Sequence, residues 1–120
     1  MARVLVVDDD MTVRNTMVEL LVLFEFEVRP VSGGPDAIAA TRNTQFDVII
    51  MDINMEKMNG LETYRALRKA GVTTPVVVLT GWPSSPEAKE LRDEPGVSLM
   101  VKPPEVDELV ELIRSAHEHG

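Results

Sequence analysis

Five short apolar runs recur along the chain, and each stops at a polar residue that its own periodicity does not require. They are Val4–Val7 before Asp8, Glu27–Val31 in weaker form, Val48–Met51 before Asp52, Val76–Leu79 before Thr80, and Val97–Val101 before Lys102. The first, third and fourth show no alternation of apolar and polar side chains, the pattern of strands buried on both faces. Pro30 removes a backbone donor and suits the second run only to a sheet edge.

Between the runs the period changes to that of a helix. Val13, Met17, Leu20, Leu21 and Phe24 predict a first helix from Met11 to about Phe24, with Asp10 as its N-cap. Pro35, after Gly33-Gly34, stands near the start of a short helix carrying Ala37, Ile38, Ala40 and Thr41. Leu61, Tyr64 and Leu67 mark a third helix closed by Gly71. A short fourth helix is expected around Glu87 to Arg92, behind Pro83 and Pro86. A fifth, after Pro103-Pro104, places Val106, Leu109, Val110, Ile113 and Ala116 on one side.

Five strand–helix units in succession predict an α/β fold: one doubly wound parallel sheet of five strands, flanked by five helices. A chain of 120 residues suits one domain, residues 1–120, with a core large enough to need no staple. Without cysteine it has neither disulfides nor thiolate metal ligands. Met1-Ala2-Arg3 leads straight into a run too short for a secretory or membrane segment, so a cytoplasmic location and no membrane association are expected. The formal net charge of −8 disfavours direct nucleic-acid binding and suits a bound cation or a basic protein partner.

Sheets of this kind bind ligands beyond the carboxyl ends of their strands. Those ends carry Asp8-Asp9-Asp10, Asp52, Thr80 and Lys102. If the first and third strands are neighbours, their carboxylates converge and repel unless a cation lies among them. Mg²⁺ suits such a site, because it takes oxygen ligands and is held by one or two carboxylates with water and phosphate oxygens. A carboxylate there can serve as a nucleophile toward phosphorus, a lysine can clamp a phosphoryl oxygen, and a threonine hydroxyl can donate to another. Gly81 would leave the phosphoryl position open. Asp10 is explained by its capping role, the methionines read as core or loop filler, and His117 and His119 read as tail residues.

With Val-Val-Asp-Asp-Asp at 6–10, Val-Ile-Ile-Met-Asp-Ile-Asn-Met at 48–55 followed by Gly60, Thr80-Gly81, and Lys102-Pro103 in order, the chain resembles receiver domains of two-component response regulators over essentially its whole length. The resemblance implies a flavodoxin-like fold with strand order 2-1-3-4-5. It implies Asp52 as phosphoacceptor, Asp9 as a direct Mg²⁺ ligand, Asp8 acting mainly through water, and Asn54 offering its backbone carbonyl. Lys102 would contact the phosphoryl group and Thr80 would be the switch hydroxyl. The Lys102–Pro103 bond is expected to be cis. A sensor histidine kinase or phosphotransfer protein would supply the phosphoryl group. An output protein or domain would read the change through the face formed by the fourth helix, fifth strand and fifth helix. Such a module is not an enzyme, since it catalyses only its own phosphorylation and dephosphorylation.

The chain departs from the family pattern at four positions. Leu99 replaces a usual aromatic three residues before the lysine, Glu56 replaces a frequent proline and predicts a more mobile loop, Trp82 stands two after the switch threonine, and Pro104 replaces a common aromatic. Two other classes fit less well. A phosphohydrolase using Asp52 would need a general acid where Asn54 stands. A nucleotide- or flavin-binding domain would need a glycine-rich loop where three aspartates stand.

Overall fold

The computed structural model describes residues 1–119 and, of His119, the backbone alone, so the reading of His119 as a tail side chain lies outside the described residues. Five strands, β1 (Arg3–Val7), β2 (Glu27–Val31), β3 (Val48–Asp52), β4 (Val76–Thr80) and β5 (Val97–Val101), form one parallel sheet in the order β2-β1-β3-β4-β5. The helices are α1 (Met11–Leu23), α2 (Gly34–Asn43), α3 (Gly60–Lys69), α4 (Pro86–Arg92) and α5 (Val106–His119). Every strand pair is parallel, and β3 lies between β1 and β4 with Val7 beside Met51 and Asp52 beside Leu79.

Each central strand feeds two cores. Leu5, Val7, Ile49, Met51, Val76 and Val78 point to one face, where α2, α3 and α4 add Ala37, Leu67 and Leu91. Val4, Val6, Val48, Ile50, Val77 and Leu79 point to the other, covered by Met17 and Leu21 of α1 and by Leu109, Val110 and Ile113 of α5. Burial on both faces is why the runs in β1, β3 and β4 lack alternation. The edge strands are less covered: β2 has no buried residue, and Pro30 lies there.

Element bounds follow the periodicity closely, with small shifts. β1 begins at Arg3, α1 closes one residue before Phe24, and Pro86 is the first residue of α4 rather than a residue before it. The apolar face of α1 differs more. Met17 and Leu21 are buried and Leu20 and Phe24 partly so, but Val13 is 39% exposed. The first turns of α1 stand beyond the carboxyl end of the sheet, where Val13 faces a groove lined by Leu79, Pro103 and Val106 instead of a closed core. Met11 is also exposed, so it fills neither core nor loop. His117 is not free: its Nδ1 lies 3.2 Å from Asp47 Oδ2, which ties the end of α5 to the residue before β3.

Candidate functional site at the carboxyl ends of the strands

Parallel strands end together, so β1, β3, β4 and β5 deliver Asp8, Asp52, Thr80 and Lys102 to one edge of the sheet. Asp8, Asp52 and Thr80 are all buried although each is polar. The Asp52 carboxylate is held from two sides. Its Oδ1 accepts from the Asn54 N–H at 3.0 Å, and its Oδ2 pairs with Lys102 Nζ. Lys102 is aimed by its own backbone, whose N–H donates to Thr80 O at 2.8 Å, and the Lys102–Pro103 bond is cis as expected.

The other acids are placed by the β1–α1 turn. Asp8 Oδ1 accepts from the Asp10 N–H at 2.9 Å, while the Arg14 guanidinium donates to the Asp8 carbonyl at 2.7 Å. Asp10 caps α1, accepting from the N–H groups of Thr12 and Val13, and takes no part in the acidic cluster. Asp9 is exposed, and its Oδ2 accepts from the Glu56 N–H at 2.9 Å. Thr80 Oγ1 accepts from the Trp82 N–H at 2.9 Å, which leaves the hydroxyl proton to donate elsewhere.

Glu56 lies in the β3–α3 loop, which is anchored at several points although Asn54, Glu56 and Lys57 are exposed. Met55 is buried in the core, and the Gly60 N–H closes onto Ile53 O at 2.7 Å. Asn59 and Glu62 then cap α3 reciprocally. A Cβ at position 60 would stand 2.9 Å from Ile53 Cα and 3.1 Å from Asp52 O, so only glycine permits this closure beside Asp52. Position 81, by contrast, borders open space, with nothing within 4 Å of where a Cβ would be.

Burial raises the Asp8 carboxyl above its ordinary value of 3.8, and the charges of Asp52 and Asp9 push the same way. The Asp10 N–H and Lys102 offset only part of this. The acids therefore lie within electrostatic reach of one another, with Lys102 as the cation paired to a carboxylate among them. No trio of acidic or imidazole side chains among the described residues forms a closed cage for a metal. The donor set fits a hard divalent cation that keeps part of its water, as Mg²⁺ does: few carboxylates, all oxygen, with uncompensated negative charge.

Residues 4–114 match the response regulator receiver domain family. The chain belongs to that family. This receiver is 33% identical over 115 residues to the nitrate/nitrite response regulator protein NarP of Escherichia coli, covering 94% of this chain and 54% of that protein. It spans about a quarter to a half of the length of the curated relatives it matches. The chemotaxis response regulator CheY4 of Vibrio cholerae superposes with a TM-score of 0.83 at 33% identity, over 97% of this chain and 98% of that one. Response regulator TrrA of Thermotoga maritima, solved in complex with Mg²⁺ and BeF, superposes with a TM-score of 0.79 at 27% identity, over 97% and 99% of the chains. Among the described residues, no helix is long and apolar enough to cross a membrane.

Sequence reasoning found the side chains at the strand ends and missed three backbone or neighbouring contacts: Arg14 on the Asp8 carbonyl, the Trp82 N–H on Thr80, and the Glu56 N–H on Asp9. Only Arg14 left a trace in the sequence, one helical turn beyond the N-cap.

The raised Asp8 carboxyl has a measurable consequence. A carboxyl that binds its proton more tightly folded than unfolded lowers stability as pH rises through that interval, from its unfolded value near 3.8 to its raised folded value. The penalty is complete above it. In chelator, Asp8→Asn is expected to raise the urea midpoint at neutral pH and to flatten its fall with pH over that interval. An unchanged midpoint and slope would mean that Asp8 carries no such penalty.

Proposed function

We propose that this receiver accepts a phosphoryl group on Asp52 from a phosphohistidine of a sensor histidine kinase or phosphotransfer protein, with Mg²⁺ bound, and signals to an output protein or domain. The chain is read as one such module, residues 1–120. The observation that carries this reading is the Asp52 carboxylate, buried at the end of a central strand yet gripped by the Lys102 ammonium and the Asn54 N–H at the open edge of the sheet. Any buried carboxylate needs such partners, but one placed at the open end of the strands, beside two further acids, is also accessible to a phosphodonor, as a nucleophile must be.

In the transfer, an Asp52 carboxylate oxygen forms a bond to phosphorus as the bond from phosphorus to the donor nitrogen breaks, and the imidazole keeps that electron pair. Asp8, Asp9, Asp52 and the backbone carbonyl of Asn54 would hold Mg²⁺, which supplies charge compensation for the transferring phosphoryl group. Lys102 then exchanges its carboxylate partner for a phosphoryl oxygen. Thr80 has its oxygen held by the Trp82 N–H and its proton free, and it donates to another.

The change is read on the α4–β5–α5 face. In support, α4 is only seven residues long, and β5 is an edge strand with Val101 exposed and Leu99 half-buried. Leucine at position 99 repacks by rotamer change with less area than a ring, so the coupling of Thr80 to this face is weaker than an aromatic would give.

Incubation with acetyl phosphate tests the reading. The intact mass is expected to rise by one phosphoryl group in Mg²⁺ and to stay unchanged in EDTA. No gain in Mg²⁺ by the folded protein would overturn it. Trp82 adds a second expectation. Its backbone N–H is bonded to Thr80 and its indole is exposed, so the ring would be available to screen the aspartyl phosphate from water. Trp82→Ala is expected to hydrolyse faster by up to about tenfold, a barrier change of at most about 1.4 kcal/mol. An equal or longer lifetime would show that the indole does not screen.

A further inference from the structure

In the hydrogen-bond pattern of the described residues, the Glu56 N–H is the single protein partner of the Asp9 carboxylate. Asp9 is exposed, so without that bond its side chain would sample several rotamers. The donor sits on a frame fixed at three further points. Met55 is buried in the core, the Gly60 N–H bonds Ile53 O at 2.7 Å, and Asn59 and Glu62 cap α3. Met58 also fills the space over Gly34, its Sδ 3.1 Å from where a Cβ would stand, which locks the loop against the start of α2. A rigid donor reaching an exposed carboxylate sets its orientation at little entropic cost.

We propose that the Glu56 backbone N–H is a positioning group for Asp9: it holds Oδ2, leaves Oδ1 to a divalent cation, and so couples cation binding to the β3–α3 loop. The inference rests on the reading of Asp9 as a Mg²⁺ ligand. The Glu56 side chain is not needed for it, but its backbone proton is. A proline at 56, frequent in the family, has no N–H to give. Coupling through one bond is reciprocal: a cation on Asp9 strengthens the hold on the loop, and a held loop strengthens cation binding.

The test compares Mg²⁺ affinities of the unaltered protein, Glu56→Ala and Glu56→Pro by amide chemical-shift titration. Alanine keeps the donor, and its affinity is expected to stay within about twofold. Proline is expected to weaken binding about tenfold, the usual scale for losing a group that orients a metal ligand. A second measurement does not depend on how proline is accommodated. In EDTA the Glu56 amide is expected to exchange with solvent slowly in the unaltered protein and rapidly in Asp9→Ala, and Mg²⁺ should slow it further only where Asp9 is present. Equal affinities for the proline and alanine variants, or equal Glu56 exchange with and without the Asp9 carboxylate, would overturn the positioning role alone. No Mg²⁺ binding by the unaltered protein would overturn the metal reading itself, and this inference with it.

Discussion

Asp52→Asn protein, incubated with acetyl phosphate and Mg²⁺, is expected to keep its starting mass while the unaltered protein gains one phosphoryl group. The substitution is nearly isosteric. Asparagine still offers an oxygen to the Asn54 N–H, so the local backbone is preserved. What disappears is the anionic nucleophile, and a neutral amide does not attack phosphorus at a useful rate. The same change removes one of the two neighbouring charges that raise the Asp8 carboxyl, so Asp8 should titrate closer to its ordinary range. These two readouts separate the alternatives. Loss of phosphorylation, with Asp8 lowered but still raised by its burial, assigns the chemistry to Asp52. Continued gain of one phosphoryl group would move the nucleophile to Asp8 or Asp9.

Lys102→Ala carries the second large effect, on rate and stability together. Lys102 pairs with Asp52 Oδ2 and is the cation among the paired side chains of the site. Removing one preorganised charge from a transferring phosphoryl group costs on the order of 10²–10³ in rate. Phosphorylation by acetyl phosphate should slow by that factor while Mg²⁺ binding persists. In chelator the variant should also lose about 1–2 kcal/mol of stability, read from its urea midpoint. That is less than for a fully buried pair, because a third of the Lys102 side chain meets solvent. An unchanged rate with reduced stability would make Lys102 a counter-ion for Asp52 and nothing more.

The parts of this fold most legible in the sequence are those where burial acts on both sides of a strand. β1, β3 and β4 read as unbroken apolar runs because each residue has a core to enter, and their terminal polar residues stand out for the same reason. Helix faces were legible only where a closed core lies beneath them. Leu109, Val110 and Ile113 of α5 sit as their spacing predicts, whereas Val13 obeys the same spacing beyond the edge of the sheet and stays exposed. The Asn59–Glu62 capping box has the expected spacing for a helix start but sits in what composition alone presents as a loop.

The site divides in the same manner. Side chains at strand ends were visible because their residue types are unusual there. The N–H groups of Glu56 and Trp82 were not, since every residue except proline carries that donor and only the folded backbone decides where it points.

The closure at Gly60 gives the site a mechanical asymmetry. On the α3 side, the chain leaving Asp52 is pressed backbone to backbone against the first residue of the helix, with no room for even one added carbon. On the β4 side, Gly81 faces open space and leads into a seven-residue helix. New bulk and charge on Asp52 would meet an unyielding stator on one flank and a compliant one on the other. The work done by modification would be funnelled toward α4 because recoil in the opposite direction is sterically closed.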